Sequence, residues 1–166
     1  VDIRKISEKA KTCSAIVAVD NTFMSPCFQN PLKLGADIVM HSTTKYINGH
    51  SDVIGGAVIT SDEAILTKLK FWANNLGITG SPFDSYLTLR GLRTLGIRME
   101  KHEKNAQAIV EILSNNAKVK SVFYPGLAHH PSHEIAKKQQ SGFGGMLSFE
   151  LKEGLTGVKK FIEKIE

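Results

Sequence analysis

The sequence predicts an α/β fold with a parallel sheet. Ala15-Ile16-Val17-Ala18-Val19 and Ile38-Val39-Met40 are short, unbroken apolar runs of the kind that a strand covered on both faces requires. Each run ends in polar residues, Asp20-Asn21-Thr22 after the first and His41-Ser42-Thr43-Thr44-Lys45 after the second. Phe23 to Gly35 joins them and carries Pro26 and Pro31, so it has room for only a short helix, in the crossover that a parallel pair needs. In open sheets of this class, ligands gather at the carboxyl ends of the strands, where these polar residues fall.

Residues 3 to 12 read as the end of an amphipathic helix that leads into the first strand. After the second, Val53 to Thr60 is a strand in which Gly55 and Gly56 permit close backbone approach. Ser61 and Asp62 can cap the next helix, whose Ile65, Leu69, Trp72 and Leu76 recur at helical spacing. That spacing predicts a buried stripe, with Trp72 in the core. Gly77 to Ser81 breaks the chain, and Pro82 suits the first turn of one long helix running toward residue 115. Gly91 and Gly96 weaken that helix and allow a bend or tight packing.

The pattern changes from Val119 onward: a strand at Val119 to Phe123, a loop with Pro125 and Pro131, a short helix near His133 to Gln140, and a strand at Met146 to Leu151. Val158, Phe161, Ile162 and Ile165 then begin a helix. This order suggests a second, α+β domain that the chain does not complete.

At 166 residues, 42% hydrophobic and 22% charged, the composition is that of a globular protein. No apolar run approaches a membrane span, and Val1-Asp2-Ile3-Arg4-Lys5 is not a signal peptide, so no membrane partner is expected. The absence of an initiator Met raises the expectation that the chain begins inside a longer one. The net charge of +5 is spread along the chain, which argues against nucleic acid as a partner. Cys13 and Cys27 lack a metal-like spacing; they are expected to be buried structural thiols in a reducing, cytoplasmic setting. His129-His130-Pro131-Ser132-His133 offers imidazoles, but Pro131 interrupts it and no acidic or cysteine ligand precedes it closely, so a solvated loop rather than a metal site is expected.

The chemistry concentrates at the two strand ends. If extended geometry persists through Ser42-Thr43-Thr44, Ser42 and Thr44 face one way and place two hydroxyls beside the Lys45 amine. Such a cradle suits a phosphorylated cofactor that carries an aldehyde. Asp20, at the neighbouring strand end, could face a pyridine nitrogen and keep it protonated. Taken singly, Lys45 reads more readily as a solvated surface charge and the Ser-Thr pair as a turn or cap.

Val19-Asp20-Asn21-Thr22-Phe23, Leu34-Gly35-Ala36-Asp37-Ile38 and Ser42-Thr43-Thr44-Lys45-Tyr46-Ile47-Asn48-Gly49-His50-Ser51-Asp52-Val53 resemble the pyridoxal-phosphate enzymes of cysteine and methionine metabolism. The likeness continues through Asp84-Ser85-Tyr86-Leu87, Arg90-Gly91-Leu92-Arg93-Thr94-Leu95, Arg98-Met99-Glu100 and Tyr124-Pro125-Gly126-Leu127. It implies a type I aminotransferase-like fold, with residues 1–96 part of the large cofactor-binding domain and 97–166 the start of a truncated small domain. It further implies pyridoxal 5'-phosphate held by Lys45 as an internal aldimine, Asp20 as the pyridine-nitrogen partner, and Ser42 and Thr44 as phosphate ligands.

Other implied features lie outside the chain. The resemblance puts a glycine-rich phosphate loop, a ring-stacking aromatic and a partner-donated tyrosine-arginine pair upstream of Val1, and a substrate-carboxylate arginine downstream of Glu166. It implies a homotetramer made of dimers. Phe71-Trp72-Ala73-Asn74-Asn75-Leu76-Gly77, Phe83-Asp84-Ser85-Tyr86-Leu87 and Gln139-Gln140-Ser141-Gly142-Phe143-Gly144-Gly145-Met146-Leu147-Ser148-Phe149 are most similar to the bacterial γ-synthases of the family. Those enzymes replace the γ substituent of an O-acylhomoserine by cysteine to give cystathionine; the alternatives are the γ-lyases and β-lyases that cleave a C–S bond.

Overall fold

The computed structural model describes residues 1–165. Helix α1 (Ile3–Lys11) starts at Asp2, whose carboxylate accepts the Lys5 N–H at 3.1 Å. It leads to β1 (Ala18–Asp20), which pairs parallel with β2 (Ile38–Ser42), Asp20 lying opposite Met40. The crossover holds only α2 (Ser25–Phe28) and a 3-10 turn at Pro31–Leu34, as its two prolines require. Strand β3 (Gly56–Ile59) completes the sheet antiparallel to β2, so the sheet is mixed and its order is β1-β2-β3.

Strand β1 is shorter than its apolar run. The Val17 N–H donates to the Asp37 carboxylate at 2.8 Å, and the Val17 carbonyl accepts from Asp37 and Ile38. Val17 is thus held partly by Asp37, just before β2, and partly by Ile38 at the start of that strand. Along β2 the two faces differ: Val39 and His41 are buried, while Met40 is open, as is its cross-strand neighbour Val58. Asp20 and Ser42 share the open face by alternation.

Asp62 caps α3 (Glu63–Leu76) by accepting the Ile65 N–H at 2.9 Å. The expected burial of its stripe fails: no α3 residue is buried, and Trp72 and Leu76 are 57% and 62% exposed. The reason is missing cover. The chain exposes 11457 Å², whereas a compact monomer of this mass would expose about 8100 Å². Ile65 and Leu69 are half-buried, while Trp72 and Leu76 further along the stripe stay exposed.

The single long helix expected after Pro82 is two helices, α4 (Pro82–Leu92) and α5 (Leu95–Ser114), broken at Arg93-Thr94. Helix α5 spans about 30 Å and supports two clusters. Leu95 and Met99 pack with Phe28 and Ile47, while Ala106 and Val110 pack with Tyr124. The Tyr124 hydroxyl donates to the Gly144 carbonyl at 2.9 Å, and burial pushes its pKa up to about 12.

The remaining elements are β4 (Val119–Phe123), α6 (His133–Gln139), β5 (Ser148–Leu151) and α7 (Gly154–Ile162). Strands β4 and β5 pair antiparallel in a separate sheet, with an irregularity between Val119 and Ser121. Cys13 and Cys27 are both exposed, against the expectation of burial. Cys13 follows the last turn of α1, where its thiol meets only the Ala10 and Lys9 carbonyls. No helix among the described residues is long and apolar enough to cross a membrane.

Candidate active site

One threonine ties the carboxyl ends of β1 and β2 together. Asp20 Oδ1 accepts from the Thr22 N–H at 2.9 Å and from the Thr22 hydroxyl at 2.6 Å. The same hydroxyl oxygen accepts the Ser42 N–H at 2.8 Å. An Asp with a hydroxyl residue two positions later closes such a turn locally, and the Ser42 bond makes it a bridge between strands. The hydroxyl, and after it the amide, hold the Asp20 carboxyl below the usual carboxylate range. Asp20 is therefore an anion at neutral pH.

His41 sits behind this bridge on the covered face. Burial pulls its pKa down, and the Asp20 charge opposes that shift. Its Nδ1 is buried and has no hydrogen-bond partner among the described residues.

Lys45 occupies an irregular turn at Thr43–Ile47 that begins as β2 ends. The Thr43 N–H donates to Gly55 O at 2.9 Å, Asn48 N–H to Thr43 O at 2.9 Å, and Gly49 N–H to Lys45 O at 2.8 Å. Helical dihedrals fail at Lys45, where φ is −88° and ψ is −124°. Its side chain is absent from the ion pairs of the described residues, Lys120–Glu150, His133–Glu134, Lys137–Glu134 and Lys160–Glu153. Lys45 and Thr44 line an open cleft of about 900 Å³ together with Phe23, Tyr46, His102 and Met146. The Tyr46 and His102 rings lie 5.0 Å apart on its wall.

Among the four residues singled out from sequence, the structure links Asp20 to Ser42 through Thr22, and sets Thr44 beside Lys45 in the cleft. Asp20 lines a different cavity of about 370 Å³, with Ile3, Val17, Gln29 and Gln139. The expectation of extended geometry through Thr44 is corrected: the strand stops at Ser42, so alternation does not pair the two hydroxyls. The Thr44 hydroxyl accepts the Gly55 N–H at 3.0 Å and reaches the Gly55 carbonyl at 3.3 Å. At the histidine segment, His133 Nδ1 pairs with the Pro125 carbonyl at 2.8 Å and His130 Nδ1 accepts the Ser132 N–H at 3.1 Å.

Sequence reasoning missed Thr22, His41 and Arg98 as parts of the site. The Asp-x-Thr spacing could have flagged Thr22. The link of Arg98 to the Lys45 turn carries no local signal, because its partners there, Tyr46 and Ile47, are 52 and 51 positions away.

Residues 1–166 match the family model described as Cys/Met metabolism PLP-dependent enzyme. The chain belongs to this family. It is 55% identical over 162 residues to the cystathionine γ-synthase of Escherichia coli K12, covering 98% of this chain and 42% of that protein. It is 52% identical over 165 residues to the cystathionine γ-lyase of Dictyostelium discoideum, covering 99% and 43%. Among solved structures, the cystathionine γ-synthase of Xanthomonas oryzae pv. oryzae in complex with aminoacrylate and cysteine superposes with a TM-score of 0.97 at 55% identity. That match covers all of this chain and 43% of the other. The fold is thus a partial α/β fold of the PLP-dependent cystathionine synthases and lyases.

The donor set fits the cofactor of this family. An aldehyde requires an amine free of ion pairs, which Lys45 offers; a pyridine nitrogen requires an anion, which Thr22 maintains at Asp20. The Ser42 side chain, on the open face of the sheet, makes no hydrogen bond among the described residues, and the Thr44 hydroxyl is shared with Gly55.

Proposed function

We propose that the protein carrying this chain is a cytoplasmic trans-sulfuration enzyme that replaces the γ-acyloxy group of an O-acylhomoserine by the sulfur of cysteine, giving cystathionine and the free carboxylate. The observation that supports a catalytic role for this region is the Asp20–Thr22–Ser42 bridge, which keeps a carboxylate ionised at one strand end beside the turn that presents the Lys45 amine. Lys45 would hold pyridoxal phosphate covalently, Asp20 would pair with its ring nitrogen, and the Ser42 hydroxyl, with that of Thr44 once released from the Gly55 carbonyl, would donate to its phosphate. When bound, the cofactor supplies an electron-withdrawing ring that stabilises negative charge at the substrate Cα. Lys45 Nζ would take the proton from Cα and pass protons at Cβ and Cγ as the γ-acyloxy group leaves as a carboxylate. Asp20 holds the ring nitrogen protonated. The substrate carboxylate is gripped by residues outside this chain, and the working assembly is a homotetramer.

The 52% identity to a γ-lyase supports a second reading, in which the same residues cleave cystathionine. A product assay on the full-length protein separates the readings. O-succinylhomoserine plus cysteine yields cystathionine and succinate for the synthase. Cystathionine alone yields cysteine and 2-oxobutanoate for a γ-lyase, and homocysteine and pyruvate for a β-lyase. Borohydride reduction of the cofactor-loaded protein should fix the label on Lys45, and a label on any other lysine overturns the assignment.

A further inference from the structure

We propose that Arg98 is a positioning residue for Lys45: its guanidinium gathers the carbonyls of Tyr46, Ile47 and Gly91, and so locks the irregular turn that presents the lysine. Arg98 Nη1 donates to Tyr46 O at 2.7 Å, and Nη2 donates to Gly91 O at 2.8 Å and to Ile47 O at 3.3 Å. Its Nε donates to Thr94 Oγ1 at 3.0 Å, which fixes the plane of the fork. Two of these carbonyls belong to the residues that directly follow Lys45. The third lies near the end of α4, so one side chain joins the lysine turn to α4 from the first turns of α5.

The turn needs such a clamp because its own geometry is irregular. Helical dihedrals fail at Lys45, so the regular ladder cannot by itself fix the lysine's direction. Packing around Arg98 is close: a Cβ at Gly49 would collide with the guanidinium, and a Cβ at Gly91 would collide with the Asn48 carbonyl. The turn is thereby wedged between α4 and Arg98. A planar fork with five donors can serve several carbonyls together, which an ammonium on a flexible stem cannot do with the same geometry.

This inference rests on the assignment of Lys45 as the cofactor lysine, and the experiment keeps the two apart. In the full-length protein, Arg98→Gln should lower kcat by about tenfold to a hundredfold, the loss typical of a reacting group displaced by about 1 Å, with KM within about threefold. In the cofactor-free protein, trinitrobenzenesulfonate labelling read by peptide mass mapping should change at least about threefold at Lys45 relative to the exposed Lys68, because only the Lys45 turn is held by the fork. Arg98→Lys should restore kcat only in part. Thr94→Val, a milder change that frees the fork, should shift the Lys45 labelling ratio in the same direction as Arg98→Gln and serves if that variant does not fold. Unchanged kcat and labelling ratio in the variants, a parallel change at every lysine, or full rescue by Arg98→Lys would each overturn the positioning role. Borohydride labelling of a lysine other than Lys45 in the parent protein would instead overturn the underlying assignment.

Discussion

The Thr22 hydroxyl donates to Asp20 Oδ1 at 2.6 Å while accepting the Ser42 N–H at 2.8 Å, so one buried side chain sets both the charge of Asp20 and the spacing of two strand ends. Thr22→Val keeps the shape and removes the hydroxyl. It leaves the Ser42 N–H without its acceptor and should cost about 1–3 kcal/mol in denaturant unfolding. The Asp20 carboxyl should then titrate closer to the ordinary carboxylate value, as carboxyl NMR would show. The sign follows from the depressed native value: Asp20 stabilises the fold above its unfolded pKa, and that contribution is lost as pH falls through the lower native one. An Asp20 titration unchanged by Thr22→Val would contradict the bridge.

His41 predicts a second pH dependence, in a higher range. Burial lowers its native pKa below the ordinary histidine value of 6.5, so the unfolded chain takes up the proton first as pH falls. Stability from neutral His41 is complete above the unfolded pKa and declines from there down to the native value. Urea midpoints measured between about pH 7.5 and 5.5 should fall, and His41→Gln should flatten that fall. The Asp20 charge tempers the effect, since it raises the His41 pKa against burial.

What the sequence makes legible follows from how local each cause is. The end of β1 at Asp20, the Asp62 cap and the start of α4 at Pro82 depend on neighbouring residues, and each stands where its pattern places it, whereas β2 stops at Ser42, short of the extended run through Thr44. The α3 stripe has the right period but only half-buried and exposed residues, so periodicity describes a face and not its burial. Lys45 is recognisable by its surrounding motif. The shape of its turn is not, because the Arg98 fork that holds it comes from 52 positions away at Tyr46 and 51 at Ile47.

Trp72 turns that uncovered face into a measurement. It is the only tryptophan, and 57% of its surface is exposed. In the 166-residue chain its emission should be solvent-like and readily quenched by acrylamide. Trp72→Glu should change unfolding stability by no more than about 0.5 kcal/mol, as for a surface site. Blue-shifted, protected emission would show that the face is covered in solution.

Gly91 and Gly96 look alike in sequence and should respond oppositely to the same substitution. Gly91 is buried near the end of α4, and an added methyl would strike the Asn48 carbonyl, a backbone atom that cannot swing aside. Gly91→Ala should destabilise by about 1–3 kcal/mol, as overpacking does. It should also disturb the lysine turn, because Asn48 closes that turn by donating its N–H to Thr43 O at 2.9 Å. Gly96 lies in the first turn of α5, where an added methyl would meet nothing within 4 Å. Gly96→Ala should be neutral or stabilising by up to about 1 kcal/mol, the difference in helix propensity. Thermal melts of the two variants settle the contrast: equal losses would mean that both glycines serve helix bending, whereas a loss confined to Gly91→Ala assigns the close approach to the junction of α4 with the lysine turn.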